Sequence, residues 1–147
     1  MLAFLQEEGA VFLVIGAHAL AVHGHVRSTG DLDIWIRPDS DNAQRIWRAL
    51  VRFKAPVESL GLTPEDFKRP GIVYQIGIPP RRIDILTEIS GVAFDEAWPS
   101  RVVQTVGGLE VPFLGRETLI QNKKASGRLK DLADLESLED EPGSRRD

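Results

Sequence analysis

Apolar positions along the chain fall into short runs with two different periods. Val11 to Ile15 is a continuous, β-branched apolar run, the pattern of a strand buried on both faces. Gly16 breaks it. Ala17, Leu20, Ala21 and Gly24 then recur at helical spacing, which predicts a helix whose small-residue face packs close to the sheet, with Gly16 allowing a sharp turn into it. After the polar stretch Arg27-Ser28-Thr29-Gly30 the period drops to two. Asp31, Asp33 and Trp35 share one face of a second strand, and Leu32, Ile34 and Ile36 share the other.

The flanking segments read in the same way. Residues 2–9 form a short helix with Leu2 and Leu5 as its core contacts. Past Pro38, Asp39 or Ser40 caps a helix with apolar positions Ala43, Ile46, Trp47, Leu50 and Val51, and it ends before Pro56. Thr63-Pro64 starts a second, short helix that ends near Lys68. Ile72 to Ile76 and Arg82 to Leu86 are strands that pair antiparallel around Pro79-Pro80. Val102–Val106 and Leu109–Leu114 form a further hairpin around Gly107-Gly108, a strong two-residue turn signal. Helices over Thr118–Ala125 and Asp131–Leu138 close the chain, and EPGSRRD is a disordered tail. The expected class is α/β (α+β), a mixed twisted sheet with helices packed on it, one domain over residues 1–140 and a tail over 141–147.

Composition narrows the function. At 147 residues, 42% hydrophobic and 27% charged, the chain suits one packed domain. With a net charge of -4 the chain lacks the broad basic surface of a duplex-DNA binder, so a small-molecule or protein substrate is expected. With no cysteine, disulfides and thiolate metal sites are excluded, which leaves carboxylates and three histidines as strong ligands. The first ten residues lack a basic start and carry two glutamates, unlike a signal peptide. The apolar run from Val11 to Val22 is also far shorter than the ~20 residues of a membrane span. A soluble, cytoplasmic protein is the expectation.

The candidate chemistry sits in the second strand. Two residues apart on one face, Asp31 and Asp33 have Cα atoms roughly 6.5 to 7 Å apart. Their side chains can close on one cation, or on two about 3.5 to 4 Å apart, and a divalent ion is the usual remedy for two carboxylates held so close. An Asp pair on a solvated strand face is common by itself. Asp is, however, disfavoured in strands, and this strand follows a strand, glycine turn and helix placed to present it.

Gly16-Ala17 followed by Arg27-x-Thr29-x-Asp31-Leu32-Asp33-Ile34 resembles the signature of the DNA polymerase β-like nucleotidyltransferase superfamily, especially its small prokaryotic minimal members. Asp84, in Arg82-Ile83-Asp84-Ile85-Leu86, matches the third carboxylate of that pattern. Lys124, Gly127, Arg128, Lys130, Asp131 and Asp134 resemble a C-terminal K-x-x-G-R-x-K-D-x-x-D helix segment of some members. One departure stands out: Ala17 replaces the usual Gly or Ser, so no hydroxyl is present there to bind a phosphate, and backbone N–H groups at the helix start remain for that role.

The resemblance implies transfer of a nucleoside monophosphate from an NTP to a hydroxyl of a protein or RNA acceptor, with two Mg²⁺ ions. A toxin-antitoxin setting and a cognate toxin or antitoxin partner go with it. It places Asp31, Asp33 and Asp84 as catalytic metal ligands, and Gly16, Ala17, Arg27, Thr29, Lys124 and Arg128 around the nucleotide, Thr29 bonding its own loop in preference to a phosphate. Arg81 and Arg82 read as solvated charge at a strand entrance in preference to phosphate binding.

Other residues tempt a functional reading. His23 and His25 cannot chelate one ion from a helix, since residues two apart do not share a face, so His18, His23 and His25 read as structural or as nucleobase contacts. Trp35 offers a stacking surface for a base, whereas Trp47 belongs to the core. Asp131 and Asp134 read as a salt-bridged helix surface, or as orienting nearby basic residues toward the nucleotide. Three functions therefore stay open: an active nucleotidyltransferase, a non-catalytic relative that binds a nucleotide or a partner, and an unrelated α/β metal-dependent phosphohydrolase.

Overall fold

The computed structural model describes residues 1–24, 31–78 and 81–139. Among these, six α-helices and two 3₁₀ turns surround one six-stranded mixed sheet. The strands are β1 (Phe12–Ile15), β2 (Leu32–Ile36), β3 (Val73–Ile76), β4 (Ile83–Leu86), β5 (Val102–Val106) and β6 (Leu109–Phe113), and their order is β3-β4-β2-β1-β6-β5. The helices are α1 (Leu2–Glu7), α2 (Gly16–Val22), α3 (Ser40–Arg52), α4 (Phe94–Ala97), α5 (Arg116–Ser126) and α6 (Leu129–Glu139). The expected α+β class, with a mixed sheet, is the one observed.

Burial explains which strands lie at the centre. All four residues of β1 are buried, as its unbroken apolar run requires, and β1 lies between antiparallel β2 and parallel β6. β2 in turn pairs parallel with β4, and β4 pairs antiparallel with β3 in the expected hairpin. The turn residues Pro79 and Pro80 of that hairpin lie outside the described residues, as does the tail expected over 141–147. At the other edge, Gly107 and Gly108 both have positive φ, at 56° and 83°, the backbone that a two-residue hairpin turn demands.

α3 shows how sequence pattern and packing combine. Asp39 caps it by accepting from the Asn42 N–H at 2.8 Å, and Ala43, Ile46, Ala49 and Leu50 are buried beneath it. Asn42 ties the helix to the sheet. Its amide donates to the Val11 and Arg37 carbonyls and accepts from the Val11 N–H, so the start of β1 and the end of β2 are held by one side chain. Val51, assigned to the apolar face from spacing, is half exposed instead, near the helix end where the sheet no longer covers it.

One further expectation is corrected, and one element has no counterpart in the sequence pattern. In α2 the buried residues are Ala19 and Leu20, while Ala21 and Gly24 face outward, because a seven-residue helix contacts the sheet over about one turn. α4 and the 3₁₀ turn Trp98–Ser100 are too short to leave a helical period, yet Phe94 and Ala97 are buried. No described helix is long and apolar enough to cross a membrane.

Candidate functional site

The sheet brings three aspartates together through register. Parallel pairing sets Asp33 directly beside Asp84, and the Leu32 N–H donates to the Arg82 carbonyl at 3.0 Å, which fixes the neighbouring ends of the two strands. Asp31 precedes β2 by one residue and shares the Asp33 face. Gly16 stands at the end of β1 with φ 70°, a left-handed backbone that L side chains rarely adopt, and a Cβ there would collide with the Asp33 carboxylate. Glycine is required at that position twice over, by backbone and by space.

Arg82 lies at the centre of this acidic group. Its Nε contacts Asp84 Oδ1 at 2.9 Å and its Nη2 contacts Asp84 Oδ2 at 3.2 Å, while Nη2 also reaches Asp31 Oδ2 at 2.9 Å. The reading of Arg82 as solvated charge is therefore corrected. It is the counter-ion of two of the three carboxylates, and the sequence signal for it was its position two residues before Asp84 on the same strand face. Arg82 bridges Asp31 and Asp84, and Asp33 stands beside them with carboxylates as its nearest charged neighbours. Burial first, then the Asp84 charge and hydrogen bond and the Asp31 charge, push the Asp33 carboxyl up to about 6, against a smaller opposing pull from Lys130.

These residues form one end of an open cleft of about 780 Å³, also lined by Ala17, Leu86, Glu88, Ile89, Ser90, Asn122, Lys123, Ser126, Arg128 and Lys130. The α5–α6 turn contributes basic residues to this lining. Gly127 caps α5 in the left-handed region, φ 64°, and the chain reverses there into α6. Behind the turn lies a buried ionic network. Lys123 Nζ sits 3.0 Å from Asp131 Oδ1 and 3.2 Å from Asp134 Oδ2, and Arg128 Nε contacts Asp131 Oδ2 at 2.6 Å. The Asp131 side chain is 1% exposed. Burial opposes its ionisation, but hydrogen bonds from Ser126, Arg128 and Lys123 outweigh that and bring its carboxyl down to about 2.

Of the residues assigned from sequence, Gly16, Ala17, Asp31, Asp33, Asp84 and Arg128 line the cleft. Arg27 and Thr29 lie outside the described residues, as does His25. Lys124 is exposed and absent from the cleft lining; the lysine that this stretch contributes to the wall is Lys123, whose place in the helical repeat, four residues after buried Leu119, marked it as inward-facing. Asp131 and Asp134 are salt-bridged as expected but buried, not on a surface.

Trp35 is not available to stack on a base. It is 1% exposed, with Phe94 edge-on at a centroid distance of 4.9 Å, because α4 covers that part of the sheet face. Trp47 packs partly buried against the core. His23 Nε2 bonds the Leu114 carbonyl at 2.9 Å, a structural contact. Glu88 and Asn122 in the lining were not foreseen. Glu88 is four residues beyond Asp84, so strand alternation alone would have aimed it at the same side.

The oxygen-only donor set of Asp31, Asp33 and Asp84 suits a hard divalent cation. Arg82 sets the present side-chain positions, and among the described residues no group of three or more His, Cys, Asp or Glu side chains is gathered to hold a metal ion.

No protein-family model matches the sequence, and no curated protein does either. Among solved structures the chain is similar to a candidate nucleotidyltransferase from Thermotoga maritima. The two are 17% identical, with a TM-score of 0.55 over 98% of this chain and 91% of the other. An antigenic nucleotidyltransferase-like protein from Paracoccidioides brasiliensis is 14% identical, with a TM-score of 0.48 over 91% of this chain and 69% of its own. The Thermotoga likeness establishes a nucleotidyltransferase-like fold.

Proposed function

We propose that the chain is a Mg²⁺-dependent nucleotidyltransferase that moves a nucleoside monophosphate from an NTP to a hydroxyl of a protein or RNA acceptor. The observation that carries this reading is the meeting of Asp31, Asp33 and Asp84 at one end of a cleft whose other wall presents Arg128 and Lys130. A triphosphate needs both: carboxylates to hold its cations, and cationic side chains for its outer oxygens. Asp31 and Asp33 would hold the ions that bridge the triphosphate, with Asp84 the ligand shared with the acceptor side. Bound there, two Mg²⁺ would polarise the phosphoryl group and lower the pKa of the incoming hydroxyl.

The chain's own residues do the remaining work. Gly16 leaves room for Asp33 against the backbone, so nothing bulkier than glycine separates the end of β1 from the reacting group. Ile15, Leu20 and Leu86 supply the apolar part of a mainly polar lining beside the carboxylates, and the cationic side chains would stabilise charge developing on the leaving pyrophosphate. Arg128, which also holds Asp131, and Lys130 would take up that charge. The sequence resemblance supports a cytoplasmic enzyme with a cognate toxin or antitoxin partner.

A second reading has one observation in its favour. Arg82 already neutralises Asp31 and Asp84 in part, as a non-catalytic nucleotide- or partner-binding module would need. Incubation with each α-³²P-labelled NTP, Mg²⁺ and a cell extract separates the two. Transfer of label to a protein or RNA, lost in Asp33→Asn, is expected; no label from any nucleotide favours the binding module.

A further inference from the structure

The guanidinium of Arg82 sits where two of the three carboxylates converge. Its main chain is fixed beside β2 by the bond from the Leu32 N–H. The side chain is about a quarter exposed, at 28%, and lines the cleft. It therefore has a fixed root and a head that borders open space. Resting on the proposed function, we propose that Arg82 is a resident counter-ion which a divalent cation displaces from Asp31 and Asp84, and that the released guanidinium then binds a phosphate oxygen of the nucleotide.

Geometry and charge both support the exchange. The fork of Arg82 engages Asp84 through Nε and Nη2 and extends to Asp31 through Nη2, so a single planar group spans two carboxylates. Asp33, in register beside Asp84 and sharing a side-chain hydrogen bond with it, stays against Gly16. One delocalised positive charge is spread over two carboxylates. A divalent ion carries twice that charge in a smaller volume and prefers hard carboxylate oxygens, so it competes for the same atoms.

Displacement would not strand the guanidinium. Arg82 already lines the cleft that also carries Arg128 and Lys130, and a planar fork that fits a carboxylate fits a phosphate equally well. Loading of the cation and capture of the triphosphate would then be coupled through one residue. A purely buttressing Arg82, which only holds Asp31 and Asp84 in place, makes the opposite prediction for metal binding.

The test titrates Mn²⁺ alone, by electron paramagnetic resonance, into the full chain and into Arg82→Met, and repeats the titration with a non-hydrolysable α,β-methylene NTP. Exchange predicts two changes of opposite sign. Mn²⁺ alone binds Arg82→Met about tenfold more tightly than wild type, and the Mn²⁺–nucleotide complex binds it about tenfold more weakly, each the size of one charge-assisted pair. Arg82→Lys keeps the charge without the fork and guards against misfolding of the methionine variant; a smaller gain in Mn²⁺ affinity is expected there. Equal or weaker binding of Mn²⁺ alone to both variants overturns the exchange and leaves the proposed function standing. Failure of wild type and variants alike to bind Mn²⁺, with or without nucleotide, overturns both.

Discussion

Along the helical part of the cleft lining Asp131 and Asp134 meet Lys123 and Arg128; on the strand side Asp31 and Asp84 share the Arg82 guanidinium, and Asp33 lies against Asp84. The carboxyl of Asp131 falls to about 2, and that of Asp33 is pushed up to about 6. Both groups are acidic clusters with an arginine or lysine at hand, so residue type does not separate them. Charge balance does. In the matched cluster hydrogen-bond donors surround buried Asp131, with Arg128 alone reaching solvent, whereas in the unmatched one Asp33 faces other carboxylates at the cleft.

The largest effect should come from disturbing the matched cluster. Asp131→Asn leaves buried Lys123 with one carboxylate fewer, and is expected to destabilise the protein by about 3 to 5 kcal/mol in urea unfolding. A loss under about 1 kcal/mol would place this network with ordinary surface pairs and erase the contrast.

The unmatched cluster should respond in the opposite sense. Asp33→Asn removes like-charge repulsion, so stability at neutral pH should hold or rise, while nucleotidyl transfer falls by about 10² to 10³-fold. A destabilised variant would mean that Asp33 serves the fold. Gly16→Ala sharpens the point by moving Asp33 without altering its charge. The left-handed backbone and the collision with the carboxylate should cost about 1 to 3 kcal/mol, seen as a lower Tm, together with weaker nucleotide binding.

Titration gives the smallest effect and the clearest sign. Because the Asp33 pKa is raised from 3.8 to about 6 in the folded chain, the folded state holds that proton more firmly than the unfolded state does. Its stabilising contribution is full below about pH 4 and is lost as pH rises through about 6, by on the order of 1 kcal/mol once solvent screening is allowed for. Asp131, depressed to about 2, contributes above about pH 4 and loses that contribution as the pH falls toward 2. Urea midpoints at pH 4 and 7 should therefore differ between wild type and Asp33→Asn; the same pH response in both would remove Asp33 as the titrating group.

Much of this was legible in the sequence because it rests on alternation and on turns. The run from Val11 to Ile15, the Gly107-Gly108 hairpin and the Asp31, Asp33 spacing are local patterns, and the sheet places them as those patterns imply; Asp84 came from the family resemblance, and the β2–β4 register sets it beside Asp33. What escaped depends on contacts between distant segments. Strand alternation put Trp35 on the aspartate face, but only α4, too short to show a period, decides that this part of the face is covered. Choosing between Lys123 and Lys124 required the packing of α5 against α6. Arg82 looked like a charge at a strand entrance because its role is set by two carboxylates, one of them on a neighbouring strand.

The proposed function has Asp31, Asp33 and Asp84 bind a metal–nucleotide complex. Isothermal titration of an NTP with Mg²⁺ into wild type and Asp33→Asn tests it most directly. Saturable binding that requires Mg²⁺ and disappears in Asp33→Asn is the expected result; binding of equal strength in the two proteins, or binding indifferent to Mg²⁺, would contradict it.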